Sequence, residues 1–282
     1  MASKTFQQEE IRYTQVIPCL ADSMARSVST FGPGPSLAHL TSISDLPIRN
    51  PDDALNVHER FFFKALRNKR LRIITTKTDL VPDRRIGVLL GMRYVPDNMT
   101  LWHMQKLRAY GLGVMSLGYG KYGSQYCDQS AGRDGLTDKG VELLEWMQQC
   151  GILLDVSGTE NASAAEALCY IMRNRLSMTP MASHSGCYAI SRDHHDLENS
   201  LLRGISHMGG YIGIPYTYPE EFVMHAKHAY RTILNRAQVG ICSDQSNATH
   251  FDMMADLSEE HLDIRIFGEN FITYLARALP WE

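Results

Sequence analysis

A set of polar residues stands where apolar runs stop, and their types suit acid–base chemistry. Asp22 comes just after QVIPCL, Arg93 follows IGVLLGM, and Tyr119 follows VMSLG. Asp155 lies in ILLDVSG, His184 and Ser185 in MASHSG, and Asp244 in VGICSD. A histidine with a carboxylate neighbour can take and return a proton near neutral pH. An arginine can hold a substrate carboxylate or a developing oxyanion in its fork of donors. Cys242 precedes Asp244 by two positions, so on a strand both side chains leave the same face. Cys242 is a nucleophile if His184 approaches it, and otherwise a small buried apolar group. Tyr119, Tyr122 and Tyr188 can line a pocket as donors or aromatic walls, or simply pack. Taken singly, each of these is a hydrogen-bonded loop residue; only convergence on one face makes a site.

The elements that would bring them together are legible as a rhythm. Short apolar runs occur at Gln15–Leu20, Ser36–Ile43, Leu71–Ile74, Ile86–Leu90, Val114–Leu117, Ile152–Val156, Met178–Ser183, Tyr211–Ile214 and Val239–Cys242. Helical periodicity fills most gaps. Thr137 can cap a helix reaching Cys150, with Val141, Leu144 and Met147 on one stripe. Ala164, Leu168 and Ile171 form another stripe, and Leu197–His207, Glu220–Leu234 and Ser258–Leu279 read as further helices. The stretch 29–55, rich in Pro, Gly, Ser and Asp, reads as the loosest part. Strands alternating with helices predict a parallel sheet. About eight such units in 282 residues predict a single (β/α)8 TIM-like barrel domain over 1–282. An open doubly wound sheet is the alternative, weakened by the lack of a Gly-rich phosphate loop after a strand.

With 44% hydrophobic and 21% charged residues, the chain has the composition of a globular protein with a real core. A net charge of −3 gives no electrostatic case for nucleic acid or an anionic membrane as partner. Six cysteines without a C-x-x-C pair offer no zinc ribbon or redox motif. The polar start MASKTFQQEEIRY lacks an apolar leader, and no run nears the ~20 residues that span a bilayer. A reducing, cytoplasmic location is the expectation.

Several segments, in order, resemble the renal or membrane dipeptidases, peptidase family M19. RIGVLLGM is similar to the strand carrying that family's bridging glutamate. DGLTDKGVELLEWMQQCGILLDVSGT and PMASHSGCYAISRDHHDL are similar to its D-x-S-H and S-H-S segments. GGYIGI, VGICSDQS and SEEHLDIRIFGENFITYL complete the series. The resemblance implies a binuclear-zinc (β/α)8 hydrolase acting on dipeptides, and makes a homodimer a reasonable expectation.

The implied metal ligands are mostly missing. The family's H-x-D after strand one reads Leu20-Ala21-Asp22 here, Arg93 stands at the bridging glutamate, and Gly158 stands at the strand-five histidine. Asp22, His184 and Asp244 remain, while Tyr188 stands at the substrate-carboxylate arginine. A guanidinium about 4 Å from a dication costs roughly 8 kcal/mol at an effective dielectric of about 20. The expectation is therefore an enzyme without a metal cofactor. His184, Asp244, Asp22 and Arg93 would carry acid–base chemistry, and Tyr119, Tyr188, Gly158 and Cys242 would line the pocket. Its partner would be a small amino-acid- or peptide-derived substrate, with a place in specialised metabolism as a fold-level analogy. The alternatives are a zinc dipeptidase with an altered metal site and a non-catalytic protein binding a small ligand. His225 and His228, three apart on one helix, read as packing or surface polarity.

Overall fold

Short strands with apolar residues in succession need cover on both faces, which a parallel sheet wrapped by helices supplies. The computed structural model describes residues 15–20, 36–40, 48–119, 122–127, 135–242, 257 and 262–281. Its strands are β1 (Gln15–Leu20), β2 (Ser36–Leu40), β3 (Leu71–Ile73), β4 (Ile86–Met92) and β5 (Leu112–Ser116). They continue with β6 (Leu153–Asp155), β7 (Met181–Ala182), β8 (Tyr211–Pro215) and β9 (Val239–Cys242). The helices are α1 (Pro51–Arg67), α2 (Leu101–Ala109), α3 (Asp138–Cys150) and α4 (Asn161–Arg173). After them come α5 (Tyr188–Ser191), α6 (Asn199–His207), α7 (Pro219–Thr232) and α8 (Glu269–Ala278).

Among the described strands every pairing is parallel, in the order β1-β2-β4-β5-β6-β7-β8-β9, with β3 paired to the start of β4. Strands β1 and β9 lie close together, so the sheet curls towards closure. This is the TIM-like α/β barrel that the alternation predicts.

The strand period of two decides which side chains meet inside. Leu37, Leu89, Val114, Leu153, Met181 and Tyr211 form one buried cluster with Phe271, Tyr274 and Leu275 of α8. Helix α8 closes the amino-terminal end. Asn270 Nδ2 donates to the carbonyl of Val239 at the start of β9, 2.7 Å away. The Tyr274 hydroxyl donates to the carbonyl of Thr179, just before β7, at 2.8 Å. The interior is thus filled with side chains at that end, leaving the carboxyl ends of the strands for polar groups.

Helix starts follow local chemistry. The Thr137 hydroxyl accepts from the N–H of Gly140 at 3.0 Å, as its capping role predicts. Two expectations need correction. The stretch 29–55 is not loose throughout, because α1 starts at Pro51, with Asn50 Oδ1 accepting from the N–H of Asp52. Nor do the described residues of 258–279 form one helix. A 3-10 turn, Ile264–Phe267, precedes α8, and Gly268 between them takes φ 152°, a conformation that breaks the rod.

One buried group in the outer layer has an energetic consequence. His58 of α1 is 1% exposed and its Nδ1 has no hydrogen-bond partner. Burial penalises the imidazolium and lowers its titration to about 3. The unfolded chain keeps the ordinary value of 6.5, so between those two pH values it binds the proton that the folded chain refuses. Stability is therefore lost progressively as pH falls from about 6.5 to about 3. His58→Leu should remove a few kcal/mol of that acid sensitivity. Denaturant midpoints measured against pH for both proteins check this; parallel curves would contradict it.

Candidate functional site

At the carboxyl ends of the strands the inward positions turn polar. By strand period, His39 continues the side of Leu37, Ser116 that of Val114, Asp155 that of Leu153, and Ser183 that of Met181. All four are buried. Arg93 directly follows β4, His184 lies two residues beyond β7, and Cys242 ends β9.

Asp155 organises this layer. Its Oδ1 accepts from the N–H groups of Ser157 and Ser183, each at 3.0 Å, and its Oδ2 accepts from the Ser183 hydroxyl at 2.5 Å. Burial alone would push the Asp155 carboxyl up. The His184 ring, the Ser183 hydroxyl and amide, and the His39 ring outweigh burial and hold it below the usual carboxylate range. An ionised carboxylate only accepts, so the single hydroxyl proton of Ser183 points at Asp155. Ser183 Oγ also lies 2.7 Å from His184 Nδ1. With the hydroxyl proton engaged, Nδ1 must be the donor, in the cationic ring and in the neutral one alike, so Nε2 is the nitrogen that exchanges a proton. The His184 backbone is fixed too, because its N–H donates to Ser157 Oγ at 2.9 Å.

The second feature is an aromatic ring that meets both a cation and a glycine. The Arg93 guanidinium carbon lies 4.9 Å from the centre of the Tyr119 ring, and Arg93 is buried. The rings of Tyr119 and His184 are 6.1 Å apart. Tyr94 meets Tyr119 edge-on at 5.7 Å and Tyr122 at 5.1 Å. Tyr119 and Tyr122 exchange both backbone hydrogen bonds, which fixes the two residues against each other. Gly158 takes φ 69°, and a Cβ built on it would sit 2.2 Å from Cδ2 and Cε2 of Tyr119. The Tyr119 ring therefore fills the space into which a side chain at 158 would project. The loop cannot slide aside cheaply. Ser157 holds His184 from one side, and the Thr159 hydroxyl donates to the carbonyl of Gly118 at 3.1 Å on the other.

The expected site residues thus divide. Arg93, Tyr119, Gly158 and His184 come together. Cys242 is buried at the end of β9, where its carbonyl accepts from the N–H of Tyr216. Tyr188 starts α5 and packs under Arg192, whose guanidinium is 5.8 Å from its ring. Asp22 and Asp244 lie outside the described residues. The sequence reading passed over Ser157, Ser183, His39 and Tyr94. Only His39 carried a visible sign, an imidazole inside the apolar strand SLAHL.

His225 does more than pack. Its Nδ1 accepts from the N–H of Cys187 at 2.7 Å, tying α7 to the loop that follows His184. His228 pairs with Asn199 Oδ1 at 2.7 Å. The Cys187 thiol, pushed up by burial to about 12, is inert. Among the described residues, Asp193, His194 and His195 are a cluster whose ligand atoms could share a metal, and all three are exposed.

Architecture and site position define the class: a TIM-like α/β barrel with its polar groups gathered at the carboxyl ends of the strands. The family follows from comparison. A family model described as "Membrane dipeptidase (Peptidase family M19)" matches residues 54–259, and the chain belongs to that family. Among solved structures, an amidohydrolase from Pseudomonas aeruginosa superposes with a TM-score of 0.72 at 13% identity, covering 94% of this chain and 96% of its own. The probable dipeptidase PvdM from the same organism gives 0.70 at 14% identity, covering 86% of each chain. A metallo peptidase from Rhodobacter sphaeroides, liganded with a phosphinate mimic of the dipeptide L-Ala-D-Ala, gives 0.62 at 17% identity over 93% of this chain and 85% of its own.

The contact between Gly158 and Tyr119 makes a measurable pair. Gly158→Ala should cost about 1–3 kcal/mol, from left-handed backbone strain and the ring it meets. In a Tyr119→Ala background only the backbone part should remain, roughly 1 kcal/mol. Equal costs in the two backgrounds, read from denaturant unfolding, would mean that the ring does not hold that space.

Proposed function

We propose that this member of the dipeptidase family works without a metal ion, by acid–base chemistry on a small amino-acid- or peptide-derived substrate. The observation that carries the proposal is the Tyr119 ring lying in the side-chain space of residue 158, with the Arg93 guanidinium stacked on it. In the family frame these are two of the ligand positions. A glycine offers no donor atom, the space for one is filled, and a fixed cation stands where a bridging carboxylate would be. Such a donor set fits a pair of zinc ions poorly.

In this reading His184 is the proton acceptor and donor. The Ser183–Asp155 link orients its ring and stabilises the imidazolium that forms. Arg93 supplies the positive charge of the mouth and holds the substrate carboxylate or the oxyanion that develops. Tyr119 forms the aromatic wall between them. Asp22 and Asp244 would complete the set, and Tyr188 and Cys242 would border the pocket. A substrate class of amino acids or peptides rests on the family and on the dipeptide mimic bound by the R. sphaeroides protein. Among the described residues no helix is long and apolar enough to cross a membrane.

The test starts from protein purified without chelators. Elemental analysis should find well under one equivalent of zinc, and turnover of the substrate, once found in an amino-acid and peptide panel, should survive chelation. His184→Ala should lower kcat/KM by about 10²–10⁴, and Arg93→Ala by about 10²–10³. Two equivalents of zinc, with dipeptide hydrolysis abolished by chelation, would overturn the proposal.

A further inference from the structure

The amino-terminal end of the barrel carries a feature that the mouth does not need. Between the last turns of α1 and α2 and the starts of β3, β4 and β5 lies a cavity of about 590 Å³. That volume is within the range of small-molecule sites. Four cations line it, Lys69, Arg72, Arg85 and Arg108, against the single carboxylate of Asp79. The segment Arg60–Arg72 holds six Lys and Arg residues and no acid, in a chain whose net charge is −3. The local field is therefore positive although the molecule is not.

The carboxylates nearby are already engaged. Asp79 Oδ2 accepts from the N–H groups and hydroxyls of Thr75 and Thr76. Asp83 is held by Arg85 at 2.6 Å and lies 3.8 Å from Arg72, which offsets part of the charge of those two; Lys69 and Arg108 have no carboxylate within ion-pair distance among the described residues. Arg108 is half-buried and spends two donors on main-chain carbonyls, those of Thr75 at 2.7 Å and Leu112 at 3.2 Å. No carboxylate lies within ion-pair distance of it among the described residues, and burial lowers its titration. A guanidinium of that kind gains from an anion brought to it. Helix dipoles account for Arg108, in the last turn of α2, but not for Lys69, Arg72 and Arg85, which lie outside the helices. The other wall is apolar, with Phe62, Leu66, Leu71 and Ile73.

We infer that this cavity is a binding site for a phosphate ester with an apolar or aromatic body, separate from the barrel mouth. The cations take the phosphate, and the Phe62–Leu66 wall takes the body. The same chemistry is presented by a free phosphorylated metabolite and by an anionic lipid headgroup.

Calorimetry on the full chain tests it with phenyl phosphate and inorganic phosphate as probes. Phenyl phosphate should bind, and inorganic phosphate should bind several-fold more weakly. Lys69→Ala and Arg85→Ala, both at exposed side chains, should each weaken phenyl phosphate at least five-fold, while Arg93→Ala at the mouth leaves it unchanged. Arg108→Gln should weaken it further; its two carbonyl contacts make it the variant that can fail to fold, so the exposed pair decides. Sedimentation with phosphatidylserine vesicles separates the sources. Pelleting that phenyl phosphate reverses assigns the site to a lipid headgroup, and no pelleting assigns it to a soluble ester. Absence of phenyl phosphate binding at millimolar concentration would overturn the inference. So would binding indifferent to Lys69 and Arg85, or binding lost with Arg93. Because the mouth variant is scored separately, failure here leaves the acid–base proposal standing, and the reverse.

Discussion

The arrangement at the mouth depends on where one flat ring is seated. Tyr119 carries the Arg93 guanidinium over its ring, and its Cδ2–Cε2 edge takes the space in which a side chain of residue 158 would start. Each partner requires the others. The ring can lie there only because residue 158 has no side chain, and the left-handed backbone at φ 69° favours glycine. A guanidinium stacked on an aromatic face keeps a favourable neighbour when taken out of water. Without the ring, Arg93 would face the cost of a buried charge with less to offset it. A side chain restored at position 158 would therefore run into the Tyr119 ring.

Beside the Tyr119 ring, a hydrogen-bonded ring of Asp155, Ser157, Ser183 and His184 sets the imidazole. It draws on two adjacent strand ends, β6 and β7, so its geometry is that of the sheet rather than of a free loop. Helix α7 reinforces it through His225 and the N–H of Cys187. The opposite end of the barrel is filled by α8 with Phe271, Tyr274 and Leu275. A packed apolar floor under a polar mouth is the division of labour that such barrels allow.

The sequence was most informative where a single physical rule decided the outcome. Short apolar runs bounded by turn residues and alternating with helical stripes point to buried strands, and all nine strands among the described residues were visible. Thr137 before an amphipathic stretch marked a helix start. Helix α1 was equally marked, by Asn50-Pro51-Asp52-Asp53, but its Pro and Asp merged with the loop-like composition around it. The break before α8 depends on how Gly268 meets the rest of the fold, and periodicity carries no trace of that. At the site, Arg93 and Gly158 stood out as departures from a family pattern. The reason they tolerate each other did not, because Tyr119 and Gly158 meet only in three dimensions. Ser157 and Ser183 were invisible for a simpler cause: a serine gains meaning only from the carboxylate beside it.

The central claim is that an aromatic–guanidinium pair has taken the place of the metals. Crystals grown with excess zinc, with anomalous diffraction recorded across the zinc edge, test it most directly. The account predicts no anomalous peak at the mouth and the Tyr119 ring seated over Gly158 with Arg93 against it. Two peaks bridged between Asp22 and His184, with the Arg93 head turned out to solvent, would contradict it.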